Sequence, residues 1–150
     1  MIMPTITLHR ATPDDLDTFI ELEKSVAHLK VYSSITDRSE AREEIQNNTV
    51  YLIKRENTVV GSIEYQMKDT HHAYLSGFVV NPRYQGQGIG REALMQILED
   101  LKEIKRVDLV THPHNTPAIM LYLSLGFIIE GWKDNYFGDG EPRVILSRTL

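Results

Sequence analysis

Cysteine is missing from all 150 residues of this chain. Its absence excludes a disulfide framework and a thiol nucleophile. Long apolar runs are missing too, and none approaches the ~20 residues that a membrane-spanning helix needs. The first residues carry no basic segment followed by an apolar one, the pattern of a secretory leader. The expectation is a soluble, cytoplasmic protein with no membrane partner. Positive charge is short, with 16 Lys and Arg against 21 Asp and Glu and a net charge of −5. That balance disfavours a nucleic-acid backbone as partner and is compatible with a cationic ligand such as an amine. No Gly-Lys-Ser/Thr occurs, which removes the P-loop, and no Gly-x-Ser-x-Gly, which removes the hydrolase nucleophile elbow. Repeats, linkers and low-complexity tracts are absent as well. A chain of this length then suits one domain over residues 1–150, large enough to bury a core without staples.

What the chain does have is a succession of strand and helix signals. Thr5 to Arg10 reads as a first strand. Thr12, Pro13, Asp14 and Asp15 give a helix start, with Thr12 as the cap, proline at the first position and acids in the first turn. Leu16, Phe19 and Ile20 mark the buried face of that helix, and a second helix is predicted over Ser39 to Gln46. Val50 to Lys54 and Val59 to Met67 read as strands joined at Glu56-Asn57, followed by a strand over Ala73 to Val80. Leu94, Ile97, Leu98 and Leu101 recur at helical spacing within Gly90 to Lys102. Val107 to Thr111 is a strand, and Pro117 to Leu125 is a helix closed by Gly126. Phe127 to Gly131 and Val144 to Ser147 are the last strands. The order β1-α1-α2-β2-β3-β4-α3-β5-α4-β6-β7 describes an α+β fold, a sheet with helices on its faces.

Within that order, Gln85-Gly86-Gln87-Gly88-Ile89-Gly90 lies between the strand ending at Val80 and the helix that continues with Arg91. Glycines admit left-handed angles and let successive N–H groups converge on one anion. A helix N-terminus adds unpaired donors and a partial positive charge. The stretch is therefore a candidate phosphate cradle. It does not fit the dinucleotide pattern Gly-x-Gly-x-x-Gly, whose last position falls on Arg91 counting from Gly86 and on Ala93 counting from Gly88. Asp108 lies about where a ribose-binding acid would be expected, but inside the apolar run Val107 to Val110 rather than at its end. On these residues alone, a nucleotide-binding turn and a turn with no ligand both stay open.

Gln85-x-x-Gly88-x-Gly90, set within Val80 to Leu94, resembles the acetyl-CoA pyrophosphate loop of the GNAT superfamily of N-acetyltransferases. A second signature follows: Asn115-x-x-Ala118-x-x-x-Tyr122-x-x-x-Gly126-Phe127 is similar to that family's Asn…Ala…Tyr…Gly-Phe helix. The two cover about the second half of the chain, and the first half matches only in element order. The resemblance implies a mixed, mainly antiparallel central sheet of about seven strands with helices on both faces. It implies acetyl-CoA as cosubstrate and direct acetyl transfer to a primary amine. By the same resemblance, the backbone of Phe78, Val79 and Val80 pairs with the pantetheine arm and orients the thioester. Gln85, Gly86, Gln87, Gly88, Ile89 and Gly90 would hold the phosphates, and Asn115 would bond the arm. Family habit adds homodimerisation as an expectation.

Among side chains, Tyr122 is the candidate general acid, because a phenol with a pKa near ~10 is protonated at neutral pH and can give its proton to a leaving thiolate. Taken outside its motif it reads first as a helical tyrosine packed beside Leu121 and Leu125, and the motif reverses that preference. Asn115 is also a natural cap for the helix that follows it. Glu64 is the candidate base, since other family members use a strand carboxylate for the amine's proton. Its alternative reading is a solvated strand residue between Ile63 and Tyr65. Glu21 and Glu23 are weaker candidates, chiefly for attracting a cation. No metal site is expected: His71-His72 reads as a polar turn, and His112 with His114 lacks a third ligand. Asn135-Tyr136-Phe137-Gly138-Asp139-Gly140 resembles the aromatic hairpin with which protein N-terminal acetyltransferases, the ribosomal-protein alanine type included, cover a peptide's end. The flanking acids would also suit a polyamine or an aminocyclitol. Beside the enzyme stand two further classes. One is a non-catalytic acyl-CoA-binding or regulatory module, against which the presence of Tyr122 speaks. The other is a nucleotide-binding protein that uses the same glycine turn for a different phosphate ligand.

Overall fold

The structure, a computed structural model, describes residues 6–150. Its elements in chain order are β1 (Thr7–Arg10), α1 (Leu16–Lys24), α2 (Arg38–Asn47), β2 (Thr49–Arg55), β3 (Thr58–Asp69), β4 (His72–Val80), α3 (Ile89–Asp100), β5 (Arg106–Thr111), α4 (Thr116–Ser124), β6 (Ile128–Lys133) and β7 (Arg143–Thr149). Thr5, predicted as the start of the first strand, lies outside the described residues. The first helix does not start at Pro13 as predicted: Pro13–Asp15 form a separate short turn, and α1 begins at Leu16. The other boundaries fall within two residues of those predicted. All the strands join one seven-stranded sheet, in the order β1-β2-β3-β4-β5-β7-β6. Every neighbouring pair is antiparallel except β4 with β5.

Local chemistry explains the helix starts. Thr12 and Asp15 form a capping box around the turn Pro13–Asp15, with Thr12 N–H donating to Asp15 at 2.9 Å and Asp14 N–H donating to the Thr12 hydroxyl at 3.3 Å. Losing such a cap costs about 1 kcal/mol. Asp37 does the same for α2, its carboxylate accepting from Glu40 N–H at 3.0 Å.

Helices cover both faces of the sheet. On one face Leu94, Ile97 and Leu98 of α3 pack with Ile63, Leu75, Leu109 and Leu146. On the other, Leu16, Phe19 and Ile20 of α1 and Ala41 and Ile45 of α2 pack with Val50 and Leu52. A smaller cluster of Leu22, Val26 and Val79, with Leu29 and Tyr32 against it, ties the end of α1 to β4. Each such buried aliphatic or aromatic side chain stabilises by about 1.5–3 kcal/mol. The central strands are thus held from both sides, and that fixes the geometry of the site.

Candidate active site

β4 pairs with β3 over its length but with β5 only through His72–Arg106, Ala73–Val107 and Tyr74–Asp108. Beyond Tyr74 the two parallel strands part. The register with β3 slips at the same place: Glu64 lies opposite Gly77 and Tyr65 opposite Leu75, which leaves Ser76 as a bulged residue. A bulge bends its strand and increases the twist, so the bulge sits where β4 leaves β5. The wedge opens into a cleft of about 550 Å³ lined by Phe78, Val79, Val80, Thr111, Asn115 and Tyr122, among others. On the β5 side, main-chain groups of residues 75–80 have no strand partner, and such groups need water or a ligand.

The glycine turn closes one end of this cleft. Gln85, Gly86, Gly88, Ile89 and Gly90 line it. Gly86 and Gly88 have φ of +78° and +81°, and nothing stands within 4 Å of where a Cβ would be. Gly88 caps α3 without any side-chain bond. The first bond of the helix runs from Glu92 N–H to the Gly88 carbonyl at 3.1 Å, so the N–H groups of residues 89–91 have no partner within the helix. Gln85 folds back on β4, its amide donating to the Val80 carbonyl at 3.0 Å. Gln87 differs from its neighbours: it does not line the cleft, and its side chain accepts from Arg55 at 2.5 Å. Open N–H donors, bare space over two glycines and Arg91 in the cleft wall fit an anionic pyrophosphate.

From the other side α4 brings Tyr122, which is 6% exposed and packs on Phe127 at 5.6 Å between ring centroids. Its hydroxyl has no hydrogen-bond partner among the described residues. Burial, with Tyr32 adding, pushes its pKa above the ordinary phenol value, so the group is a donor at neutral pH. Asn115 occupies the cap position of α4, yet its side chain makes no capping bond. Its carbonyl accepts from Ile119 N–H at 3.1 Å instead, and the amide is left to the cleft.

The reading of Glu64 as a solvated strand residue is overturned. It is 1% exposed, because β3 is buried on both faces from Val60 to Glu64. Its carboxylate fills the space over Gly77, where a Cβ would stand 2.3 Å from Oε2, and accepts from the Ser62 hydroxyl at 3.3 Å. Glu23, 4% exposed, lines the same cleft. Glu44 of α2 accepts from the Ser76 hydroxyl at 3.0 Å and the Asn48 amide at 2.9 Å. Among the described residues no basic side chain pairs with any of the three. Burial first, then Glu23 and Glu44, hold the Glu64 carboxyl well above the ordinary carboxylate range. Glu23 is raised to about 7 by burial above all, opposed by the Ile35 N–H and reinforced by Glu44.

Glu23 is a residue whose burial the sequence did signal. It follows Leu16, Phe19 and Ile20 at helical spacing, a charge set on the apolar stripe of α1. Glu21 lies on the exposed side.

The remaining polar groups are engaged by the protein. His72 is the first residue of β4 rather than a turn residue, and its Nε2 stands 2.7 Å from Asp108. Arg106 bridges Asp108 and Glu130. His112 accepts from His114 N–H at Nδ1, which assigns the proton to Nε2, 3.0 Å from Glu141. No group of three or more His, Asp or Glu with metal-holding geometry occurs among the described residues. In the β6–β7 connection Phe137 reaches the cleft, with the buried Arg143 guanidinium over its ring at 5.1 Å and bonded to Asp139 at 2.9 Å.

A bulged strand splayed from its parallel neighbour, an anion-ready glycine turn and an unpartnered tyrosine hydroxyl thus face one cleft of an α+β fold. Residues 16–127 match the model of the Acetyltransferase (GNAT) family, and the chain belongs to that family, which uses acetyl-CoA. It is 31% identical over 96 residues to the N-terminal acetyltransferase B complex catalytic subunit NAA20 of Arabidopsis thaliana, covering 61% of this chain and 54% of that protein. It is 39% identical over 64 residues to the spermine/spermidine N(1)-acetyltransferase of Bacillus subtilis, covering 41% of this chain and 42% of that protein. The chain thus spans about half the length of these curated relatives. In fold it is similar to a GNAT family acetyltransferase from Elizabethkingia anophelis with acetyl-CoA bound, with a TM-score of 0.75 at 20% identity over 99% of this chain and 100% of that one. No helix of the described residues is long and apolar enough to cross a membrane.

Proposed function

We propose that residues 1–150 form one N-acetyltransferase domain that moves the acetyl group of acetyl-CoA directly to a primary amine, with Tyr122 as general acid. The observation that carries this reading is the Tyr122 hydroxyl, which stands in the wall of the cleft without a protein partner among the described residues. The N–H groups of the glycine turn would hold the pyrophosphate, Phe78, Val79 and Val80 would pair with the arm, and Asn115 would bond it. Bound there, acetyl-CoA supplies a thioester, an acetyl carbon open to a nitrogen nucleophile. The β4 N–H groups freed by the splay are donors for charge developing on the carbonyl oxygen, the kind of interaction that is usually the largest single contribution. Tyr122 gives its proton to the departing sulfur. Glu23, Glu44 and Glu64 form an acidic cluster with no basic side chain among the described residues paired to it, which favours a cationic acceptor, and Glu64 is a candidate for holding it.

Two relatives are named for spermine/spermidine and for N-terminal acetylation, so polyamines and peptide N-termini are the first acceptors to try. The test is acetyl-CoA turnover over an amine panel that also holds lysine peptides and aminoglycosides, with Tyr122→Phe in parallel. Turnover of one class, slowed in the variant at unchanged cofactor affinity, supports the reading and names the acceptor. CoA binding without turnover of any class favours an acyl-CoA-binding module instead. We also propose a homodimer through the β6 edge, where Ile128, Ile129 and Trp132 are 57–62% exposed. Apolar edge strands invite pairing. Light scattering that gives the mass of one chain removes that proposal.

A further inference from the structure

Two carboxylates line the cleft, Glu23 from α1 and Glu64 from β3, and their surroundings differ. Glu64 is shut in between Ser62 and Gly77, with no room above Gly77 for even a methyl group. Glu23 comes from the helix layer and borders the open space of the cleft. Tyr32, from the connection after α1, lines the cleft as well, and it interacts electrostatically with both Glu23 and Tyr122. Glu23, Tyr32 and Tyr122 thus line one cleft, with Tyr32 close enough to influence both of the others electrostatically.

We propose that Glu23 is the catalytic residue that takes the proton of the incoming ammonium, with Tyr32 as a positioning residue between it and Tyr122. The proposal rests on the acetyltransferase reading above. In the step, an ammonium N–H bond breaks and its electron pair stays on nitrogen. The proton passes to a Glu23 oxygen, leaving a neutral amine and a neutral carboxyl. As the C–N bond forms and the C–S bond breaks, Tyr122 gives one proton to sulfur and recovers one from nitrogen. Glu23 then releases its proton to water, the single proton set free per amide formed.

A general base works best with a pKa near the operating pH. Glu23 meets that condition at about 7, whereas burial holds Glu64 well above the ordinary carboxylate range. The groups facing Glu23 are Glu44 from α2, Glu64 from β3, and Tyr32 and the Ile35 N–H from the α1–α2 connection. No cation among the described residues pairs with it.

The test is kcat/KM against pH for wild type, Glu23→Gln, Glu64→Gln and Tyr32→Phe, on the best acceptor of the panel. The glutamine oxygen can keep the Ile35 N–H bond, so Glu23→Gln is expected to fold. In wild type the rate rises through a limb near pH 7, set by Glu23. Glu23→Gln loses that limb and falls about 10²- to 10⁴-fold at neutral pH, with unchanged acetyl-CoA affinity. Its rate recovers about tenfold per pH unit toward the pKa of the amine, since a free amine needs no base. Glu23→Asp keeps the limb at a reduced rate, and Tyr32→Phe lowers kcat at unchanged KM. Glu64→Gln keeps the limb near pH 7. A limb that survives in Glu23→Gln, or vanishes in Glu64→Gln instead, overturns the proposal while the acetyltransferase reading stands. Wild-type protein that binds CoA and turns over no amine overturns both.

Discussion

Glu23 has its carboxyl at about 7 in the folded protein against an ordinary 4.5, so between those values the folded chain binds a proton that the unfolded chain has lost. The slope of unfolding free energy with pH follows protons bound by the unfolded state minus those bound by the folded state, and here it is negative. Stability from this group is therefore highest below 4.5, falls as the pH rises to about 7, and is level above. The difference corresponds to about 3 kcal/mol, or roughly 6–12 °C in Tm for a chain of this size. Glu64 is shifted in the same direction and adds to the effect. Glu130 acts in a different window: Arg106 first, then Ser147, lower it to about 2, so its contribution is present above 4.5 and lost only as the pH falls toward 2. Urea unfolding followed by circular dichroism, in steps from about pH 8 to about pH 5, reads the slope. Wild type is expected to gain stability as the pH falls, and Glu23→Gln to start more stable at the alkaline end with a shallower slope. Wild-type stability that is flat or rises with pH across this window, or a Glu23→Gln slope equal to that of wild type, refutes the reasoning.

Tyr122→Phe removes a hydroxyl without a protein partner, so it should lower kcat by about 10²- to 10⁴-fold while the melting temperature and the calorimetric affinity for CoA hold. Gly77→Ala puts a Cβ 2.3 Å from the Glu64 carboxylate, and overpacking of this kind costs about 1–3 kcal/mol. Adding Glu64→Ser should recover much of that loss, which a double-mutant cycle on urea midpoints will show as favourable coupling. Gly88→Ala meets no neighbour but strains a residue at φ +81°, at about 1–2 kcal/mol. It should also reduce the thermal stabilisation by CoA, because that stabilisation scales with ligand affinity.

The fold was legible where the local signals were strong. The capping box at Thr12, the helical spacing of Leu94, Ile97, Leu98 and Leu101, and the glycine turn each specify an element without help from distant residues. The splay of β4 was expected over Ser76 to Val80 only through the family resemblance, because nothing in those residues themselves says that β5 diverges beyond Tyr74, where the register against β3 also slips. Glu64 was misjudged as solvated because period-two alternation assumes one wet face, and helices cover both faces of this sheet. Gln87 shares the turn with Gly86 and Gly88 but turns its side chain to Arg55, a contact 32 residues distant in sequence. The charge on the apolar stripe of α1 was readable by the same spacing rule that placed Leu16, Phe19 and Ile20.

The buried carboxylates also bear on why the cleft is built as it is. Sheet and helices that bury Glu23 and Glu64 without a cation make the folded state less stable at neutral pH, and the same burial raises Glu23 to about 7, where a base is effective. A residue kept only for packing would not combine these two effects. For Glu23→Gln, stability at neutral pH and turnover should therefore move in opposite directions, up for the first and down for the second. Local strain against stability is expected where function needs it. Tyr122→Phe, which alters no charge and breaks no bond within the protein, should lower turnover alone. A Glu23→Gln protein that is both slower and less stable would mean that the carboxylate holds the fold, and that the base lies elsewhere.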